Sequence, residues 1–571
     1  MAANGSGFKR KSSGAPSKAN HHKHKKSKPD TSNLSSSAQK RALKQERQSH
    51  RRHADVVRDG KEIWNKLRVK TNTKDDTKAL VEKLMNLLKD DAVVREIALQ
   101  HDASRVVQAA IQFSSVEQRR NLCQSLAPQM AEMSKVQYAH FCVLKLIQYG
   151  YKDDETVQIL LKSLKGQLCK LAVHSVGARV IELLFSTFSS KQTKSFRQEF
   201  YGPHFSIFAQ DGEEMGNTLC ENIAKKPQHK EAACEYVQKH VISKGIDKGL
   251  YGFAYFQQLL WDYTQAIGIT EFRSSLLSTL VDHALHLVST RDGTSVVVKC
   301  AAYGTAKDRK RLLKCFKGYA RSSLLHRDAY LSMLQIALVT DDTVSVHKSI
   351  LAELVTNPED NKDDQESNQH PLLELALDDN ASKLLLFLLL SESMEEQRRK
   401  YMDPLECDLL ELTPPEIDGV PTSKKNNETR RQELLRYLTP HLKQMCQDHA
   451  EQLSKSISGS KVLLQVYRQI ADDDDVLLET LANLSLSEHP VGHFLMQHLI
   501  NSCEKFRKAV TIPKPTSSRN AFILATLMDH ADAKSRLPKM SVNQLKKTID
   551  EKQKAKEATA GIEALMKKLQ K

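Results

Sequence analysis

Apolar residues recur along this chain at helical spacing almost from end to end. In "HDASRVVQAAIQF" (101–113), Val106, Val107, Ala110 and Ile111 fall on one side of a helix, and Ser104, Arg105 and Gln108 on another. Thirty-seven residues on, "YAHFCVLKLIQYG" renews the apolar stripe with Val143, Leu144 and Ile147, and sets Phe141, Cys142 and Lys145 where the polar panel stood. Another thirty-seven on, "SVGARVIELLF" gives Val180, Ile181, Leu184 and Phe185 as stripe and Ala178, Arg179 and Glu182 as panel. Self-similarity at an interval of this length is the signature of a solenoid, in which each helical unit buries its apolar face on its neighbours. The pattern predicts an all-α, right-handed helical-repeat solenoid of about ten to eleven units, with the panels laddered along one surface.

Further rungs follow. "MGNTLCENIAKK" offers Asn217, Thr218 and Glu221, and "YGFAYFQQLLWDY" offers Ala254, Tyr255 and Gln258. "DGTSVVVKCAAYG" offers Thr294, Ser295 and Val298, and "RDAYLSMLQIAL" offers Ala329, Tyr330 and Met333. Beyond residue 380 the rungs near Ser382, Ser460, Gly492 and Asn520 are mostly aliphatic or small. The run "LLLFLLL" (384–390) is too short to span a bilayer and reads as a helix buried between repeats. The expected divisions are a basic tail over 1–60, a first array over 61–355, an acidic loop over 356–371 and a second array over 372–571. An exposed linker is expected at 412–428 and a closing amphipathic helix at 559–569.

Charge changes this picture at one end. Of the net +16, residues 1–53 carry +12, from 14 Lys and Arg against Asp30 and Glu46. Such a tail favours polyanions through counterion release. Its clusters, Lys9, Arg10 and Lys11, then Lys23, Lys25, Lys26 and Lys28, read as a nuclear-import signal. The tail has too few apolar residues to order itself. The N-terminus shows no apolar leader, so secretion is not expected. The ten cysteines lie singly in helical patterns without Cys-x-x-Cys spacing, as reduced thiols would. No Walker, Gly-x-Ser-x-Gly or Rossmann motif is present, and the pairs His283/His286 and His489/His493 have no glutamate in a metalloprotease pattern. No catalysis, cofactor or metal is expected.

The panels carry the remaining chemistry. Some solenoids read RNA one base per repeat, with two polar groups on the base edge and a flat or cationic group between them to stack. Ser104 and Gln108 suit the edge and Arg105 the stack. Phe141 cannot pair with an edge and Ala178 adds nothing polar, although Arg179 can stack and Glu182 can accept. Tyr255, beside Gln258, and Tyr330 keep a stacking ring and lose an edge group. A ladder without a complete code argues for contact with phosphate and sugar more than with bases. Arg105, Lys145 and Arg179 would then form a cationic strip, joined by Lys307, Arg309, Lys310 and Arg311 of "YGTAKDRKR" on a turn between helices. The bland alternative is that these are ordinary solvated charges.

The rungs "ASRVVQ" and "GARVIE" resemble Pumilio (PUF) repeats. "DGTSVVVKCAAYGTAKDRKRLLKCFK", "EHPVGHFLMQHLI" and the terminal "GIEALMKKLQK" are similar to the divergent nucleolar branch of that family, Puf-A, over roughly residues 60–571. The resemblance implies some eleven repeats bent into an L, and binding of RNA or DNA with little sequence preference. It also implies a nucleolar role in ribosome assembly and ribosomal RNA processing, with precursor RNA and pre-ribosomal proteins as partners, no membrane and a monomeric state. Ser104, Arg105, Gln108, Arg179, Tyr255 and Gln258 keep the chemistry of the reading positions. Phe141 and the aliphatic second half depart from it. Two other readings stand beside this one: a sequence-specific messenger-RNA repressor, and a protein-interaction scaffold that holds nucleic acid only by its tail.

Overall fold

The computed structural model describes Ser37 and residues 52–206, 215–356, 370–470 and 475–570. The import-like clusters and nearly all of the expected acidic loop lie outside these residues. Two compact units are distinguished, 1–114 and 115–571.

The first unit holds the helices Ala54–Leu67, Lys74–Leu87, Asp91–Ala98 and Ser104–Phe113. The first of them starts inside the stretch expected as tail. Val106 and Val107 are buried with Val81, Leu84, Val94 and Ile97. Gly60 lets the first and last of these helices approach closely: a Cβ there would stand 2.6 Å from Val106 Cγ1.

In the second unit each repeat pairs an outer helix with an inner one. Three outer helices open on the same chemistry. Ser115 with Gln118, Ser189 with Gln192 and Thr305 with Asp308 form reciprocal capping boxes. The inner helices run His140–Gly150, Gly177–Thr187, Leu219–Lys225, Ala254–Ala266, Arg291–Tyr303, Tyr330–Val339, Ser382–Leu389, Ile457–Ile470, Gly492–Ser502 and Ser518–Leu527. From Ala254–Ala266 onward each packs on the next, and Gly177–Thr187 reaches Ala254–Ala266 directly, past the short helix Leu219–Lys225. This is the helical-repeat solenoid that the interval predicts. Buried polar groups tie the repeats together: Gln257 donates to the carbonyls of Tyr251 (2.7 Å) and His286 (3.1 Å) and to Ser289 Oγ (2.8 Å). The closing helix, Ala560–Leu569, packs Ile562 and Leu565 on Ala521, Leu524, Leu545 and Ile549.

The segment 391–425 departs from expectation. Instead of an exposed linker at its second half, it is a strap laid on the inner helices. Buried Arg398 donates to the carbonyls of Phe387 (3.2 Å) and Leu390 (2.7 Å), and the Tyr401 hydroxyl accepts from Gln465 (3.0 Å). Glu406 takes Lys383 Nζ at 2.7 Å and the Tyr330 hydroxyl. Glu411 exchanges backbone bonds with the Gln335 amide (2.9 and 3.0 Å) and accepts from the Tyr303 hydroxyl (2.9 Å). Its tip is a two-residue hairpin turning at Asp418 and Gly419 with φ of 52° and 74°. Covered on both sides, Tyr330–Val339 buries every residue but Leu338, and Ser382–Leu389 every residue but Lys383. That is why the panels fade to aliphatic residues there.

Two consequences are measurable. Burial pushes Asp262, which accepts from Tyr201 (2.8 Å), up to about 6. The folded state therefore holds this proton more tightly than the unfolded one. Its contribution is present below the unfolded carboxyl value and should fall by about 3 kcal/mol as pH rises from about 4 through about 6. Thermal melts of Asp262→Asn against the parent across that window should show this fall only in the parent. All ten cysteines are free, and burial pushes Cys123 and Cys142 up to about 12. Alkylation of these two at neutral pH should wait for unfolding, which peptide mapping with and without denaturant would show.

Candidate nucleic-acid interface

The register of the ladder differs from the sequence reading by one residue at its second rung. The pattern buried, exposed, buried, buried repeats over 104–107, 140–143 and 178–181, so Ser104, His140 and Ala178 hold equivalent places. Phe141, not Cys142, therefore shares the place of Arg105 and Arg179. Cys142 is buried, while Phe141 is 44% exposed with its ring 4.1 Å from that of His140. The same pair recurs at His493 and exposed Phe494, with rings 3.9 Å apart. A flat side chain thus stands where a stacking group belongs, and its failure to suit a base edge is no defect.

The other panel residues divide sharply. Arg105 is exposed as expected, with Val107 and Ile111 buried, and its guanidinium lies 5.6 Å from the Trp64 ring centre. Ser104 is buried, not presented: its hydroxyl reaches the His101 carbonyl and accepts from the Gln108 amide, both at 3.3 Å. Arg179 is exposed and makes no ion pair among the described residues. Lys145 is half-buried, with Nζ 5.0 Å from the Tyr149 ring centre.

Several assignments are corrected by packing. The Glu182 carboxylate accepts from the Ala254 and Tyr255 N–H groups (3.1 and 3.2 Å), capping the neighbouring inner helix. Tyr255 is buried and donates to the Ala172 carbonyl, so it has no free face to stack; Gln258 beside it is half-buried. Tyr330 lies under the strap. Exposed Asn217 precedes its helix, where Thr218 is the N-cap. The run 307–311 lies on the helix Ala306–Phe316 and not on a turn. Within it Arg309 is 2% exposed and donates to the carbonyls of Ala301 (2.8 Å), Ala302 (2.9 Å) and Thr422 (2.7 Å). Arg311 pairs with Asp282 and Asp308. Lys307 and Lys310 are exposed.

What remains on adjacent inner helices of the second unit is an exposed ring, Phe141, beside an exposed guanidinium, Arg179. Burial, joined by Arg179, holds His140 below its usual value against backbone hydrogen bonds to Val136 and Gln137. The pair can stack on a planar group or meet an anion. Neither partner is flanked by two free hydrogen-bonding groups for a base edge.

Known proteins place this geometry. A family model described as the CPL (NUC119) domain matches residues 377–509, the stretch that contains the strap. Human Pumilio homolog 3 is 24% identical over 93% of this chain and 82% of its own. Pumilio homology domain family member 6 of Schizosaccharomyces pombe is 28% identical over 75% and 63%. Among solved structures, human Puf-A matches with a TM-score of 0.70 at 23% identity, over 90% of this chain and 99% of that one. Human Puf-A in complex with DNA matches with a TM-score of 0.73. In sequence along 93% of its length, and in fold along 90%, the chain resembles the Puf-A branch of the Pumilio-repeat proteins.

Proposed function

We propose that this chain binds RNA, and DNA as a related polyanion, with little sequence preference, and that it does so in the nucleolus during ribosome assembly and ribosomal RNA processing. The observation that carries the binding reading is the pair Phe141 and Arg179, at one place in successive repeats and without edge-reading partners. Stacking on such groups tolerates any base, because every base has a π-face. The complex of human Puf-A with DNA supports the same reading. The nucleolar role is supported by the resemblance to the Puf-A branch and by the +12 tail.

A chain starting at residue 52 tests the division of labour; Arg52 and His53 are kept because both reach Glu96 (3.3 and 3.2 Å). It should bind RNA in vitro and fail to accumulate in nuclei. Crosslinking of the full chain in cells should recover ribosomal precursor RNA. Recovery of messenger RNAs sharing one motif would instead favour the repressor reading.

A further inference from the structure

The second unit carries a cleft rich in lysines. Between Gly177–Thr187 and Ala254–Ala266 the inner layer holds only the short helix Leu219–Lys225, and the two longer helices close past it. The cleft measures about 700 Å³ and is lined by Lys165, Lys170, His240, Lys244, Lys248 and Glu199, among others. Gly202, at φ 101°, turns the chain beside its Tyr236 wall.

The charge in this cleft is mostly positive. Its acid, Glu199, accepts the N–H groups of Gly166 (2.6 Å) and Leu168 (3.1 Å) and feels the charge of Lys165. Lys248 Nζ is held by the Val173 carbonyl at 2.6 Å. Lys165, Lys170 and Lys244 are exposed, and none forms an ion pair with a described carboxylate. The field extends beyond the cleft. His174 is held below its usual value by burial and then by Lys248 and Lys135, and His240 by burial and then by Lys244 and Lys239. His174 Nδ1 in turn accepts the Val176 and Gly177 N–H groups at the start of Gly177–Thr187, the helix that bears Arg179. The cleft lysine Lys248 thus acts on the histidine that holds the start of the helix bearing Arg179.

We propose that this cleft is a second anchoring site for the bound nucleic acid, taking backbone phosphates on Lys165, Lys170 and Lys244 while Phe141 and Arg179 take the bases. The inference rests on the nucleic-acid reading above and adds a place and a chemistry to it. Ammonium groups on flexible stems suit phosphates as point charges and carry no sequence information. Such contacts hold a strand without reading it.

The test is the full chain carrying Lys165→Gln, Lys170→Gln and Lys244→Gln together. RNA affinity is measured over a salt series, beside a lysine-acetylation footprint of the parent with and without RNA. Each lost phosphate contact should lower the log–log salt slope by about 0.7 on a single strand and about 0.9 on a duplex, so three should lower it by roughly 2 to 3. Affinity at low salt should drop roughly ten- to a hundred-fold, and bound RNA should protect the three lysines of the parent. An unchanged slope together with unprotected lysines would overturn this inference alone, if Phe141→Ala with Arg179→Ala still lost binding. Failure of the parent to bind any nucleic acid would overturn it together with the reading on which it rests. The footprint decides the matter even where the triple variant melts early.

Discussion

Replacing Phe141 and Arg179 together by Ala should weaken RNA binding by about 1–3 kcal/mol, the range measured for single base-stacking side chains. The melting temperature should not move. Phe141 contributes an exposed ring braced against His140, and its loss uncovers no core. Arg179 has no acid partner among the described residues, so its loss breaks no ion pair there. The two shares are separable by salt: an arginine on phosphate weakens as salt rises, while a stacked ring does not. Tyr255→Phe is the matched control. Its hydroxyl ties one repeat to the carbonyl of Ala172 in another, so removing it should cost about 1 kcal/mol of stability and leave affinity unchanged. Loss of affinity in Tyr255→Phe without loss of stability would restore that tyrosine to the reading surface.

A larger effect on stability is expected at the foot of the strap. Arg430 is 1% exposed and donates to Asn427 Oδ1 (2.9 Å), Asp341 Oδ1 (3.1 Å), the Lys425 carbonyl (2.8 Å) and Ser423 Oγ. Asp341 also gathers the N–H groups of Lys424 (2.8 Å) and Lys425 (3.2 Å). Arg430→Ala leaves these acceptors stranded and should cost about 3–5 kcal/mol, read as a lowered denaturant midpoint. The strap should loosen with it, exposing Tyr330–Val339 and Ser382–Leu389 to hydrogen exchange. The pH dependence follows from Asp341. Burial works against its ionisation, but hydrogen bonds from Ser423, Lys424, Arg430 and Lys425 overcome this and hold it below the usual carboxylate range. Its contribution is therefore complete above the unfolded value near 4 and lost as pH falls through the lower folded value. An unfolding free energy within about 1 kcal/mol of the parent would show that the strap is fastened elsewhere.

Much of this architecture is legible from the chain. Stripes such as Val106, Val107 and Ile111 fix which face is buried, and the interval between them fixes the repeat. The place of each panel is harder to read. A turn one residue shorter ahead of His140 shifts that helix by 100°, enough to exchange Cys142 for Phe141 on the exposed face. Fixed-interval alignment has no means of detecting this, although "HF" at 140–141 and again at 493–494 is a signal for it. The strap escapes for a different reason: a Pro-rich polar segment such as 412–428 has the composition of a linker whether or not something holds it. Its trace lies in the helices it covers. "YLSMLQIALV" and "LLLFLLL" have no polar face, so something beyond their outer helices must cover them. Arg309 and Arg430 look like surface charges because nothing local marks the carbonyls that surround them. The cleft lysines are equally silent, since stretches far apart in the chain, 165–173, 199–206 and 236–248, build the cleft together.

The most direct measurement is the affinity of the chain starting at residue 52 for one structured RNA and for scrambled versions of it, each across a salt series. Binding should survive removal of the tail, differ by only a few-fold among the sequences, and fall steeply and linearly on the log–log salt plot. Loss of binding with the tail, or strong preference for one sequence at every salt, would contradict the claim that the repeats themselves hold nucleic acid without reading it.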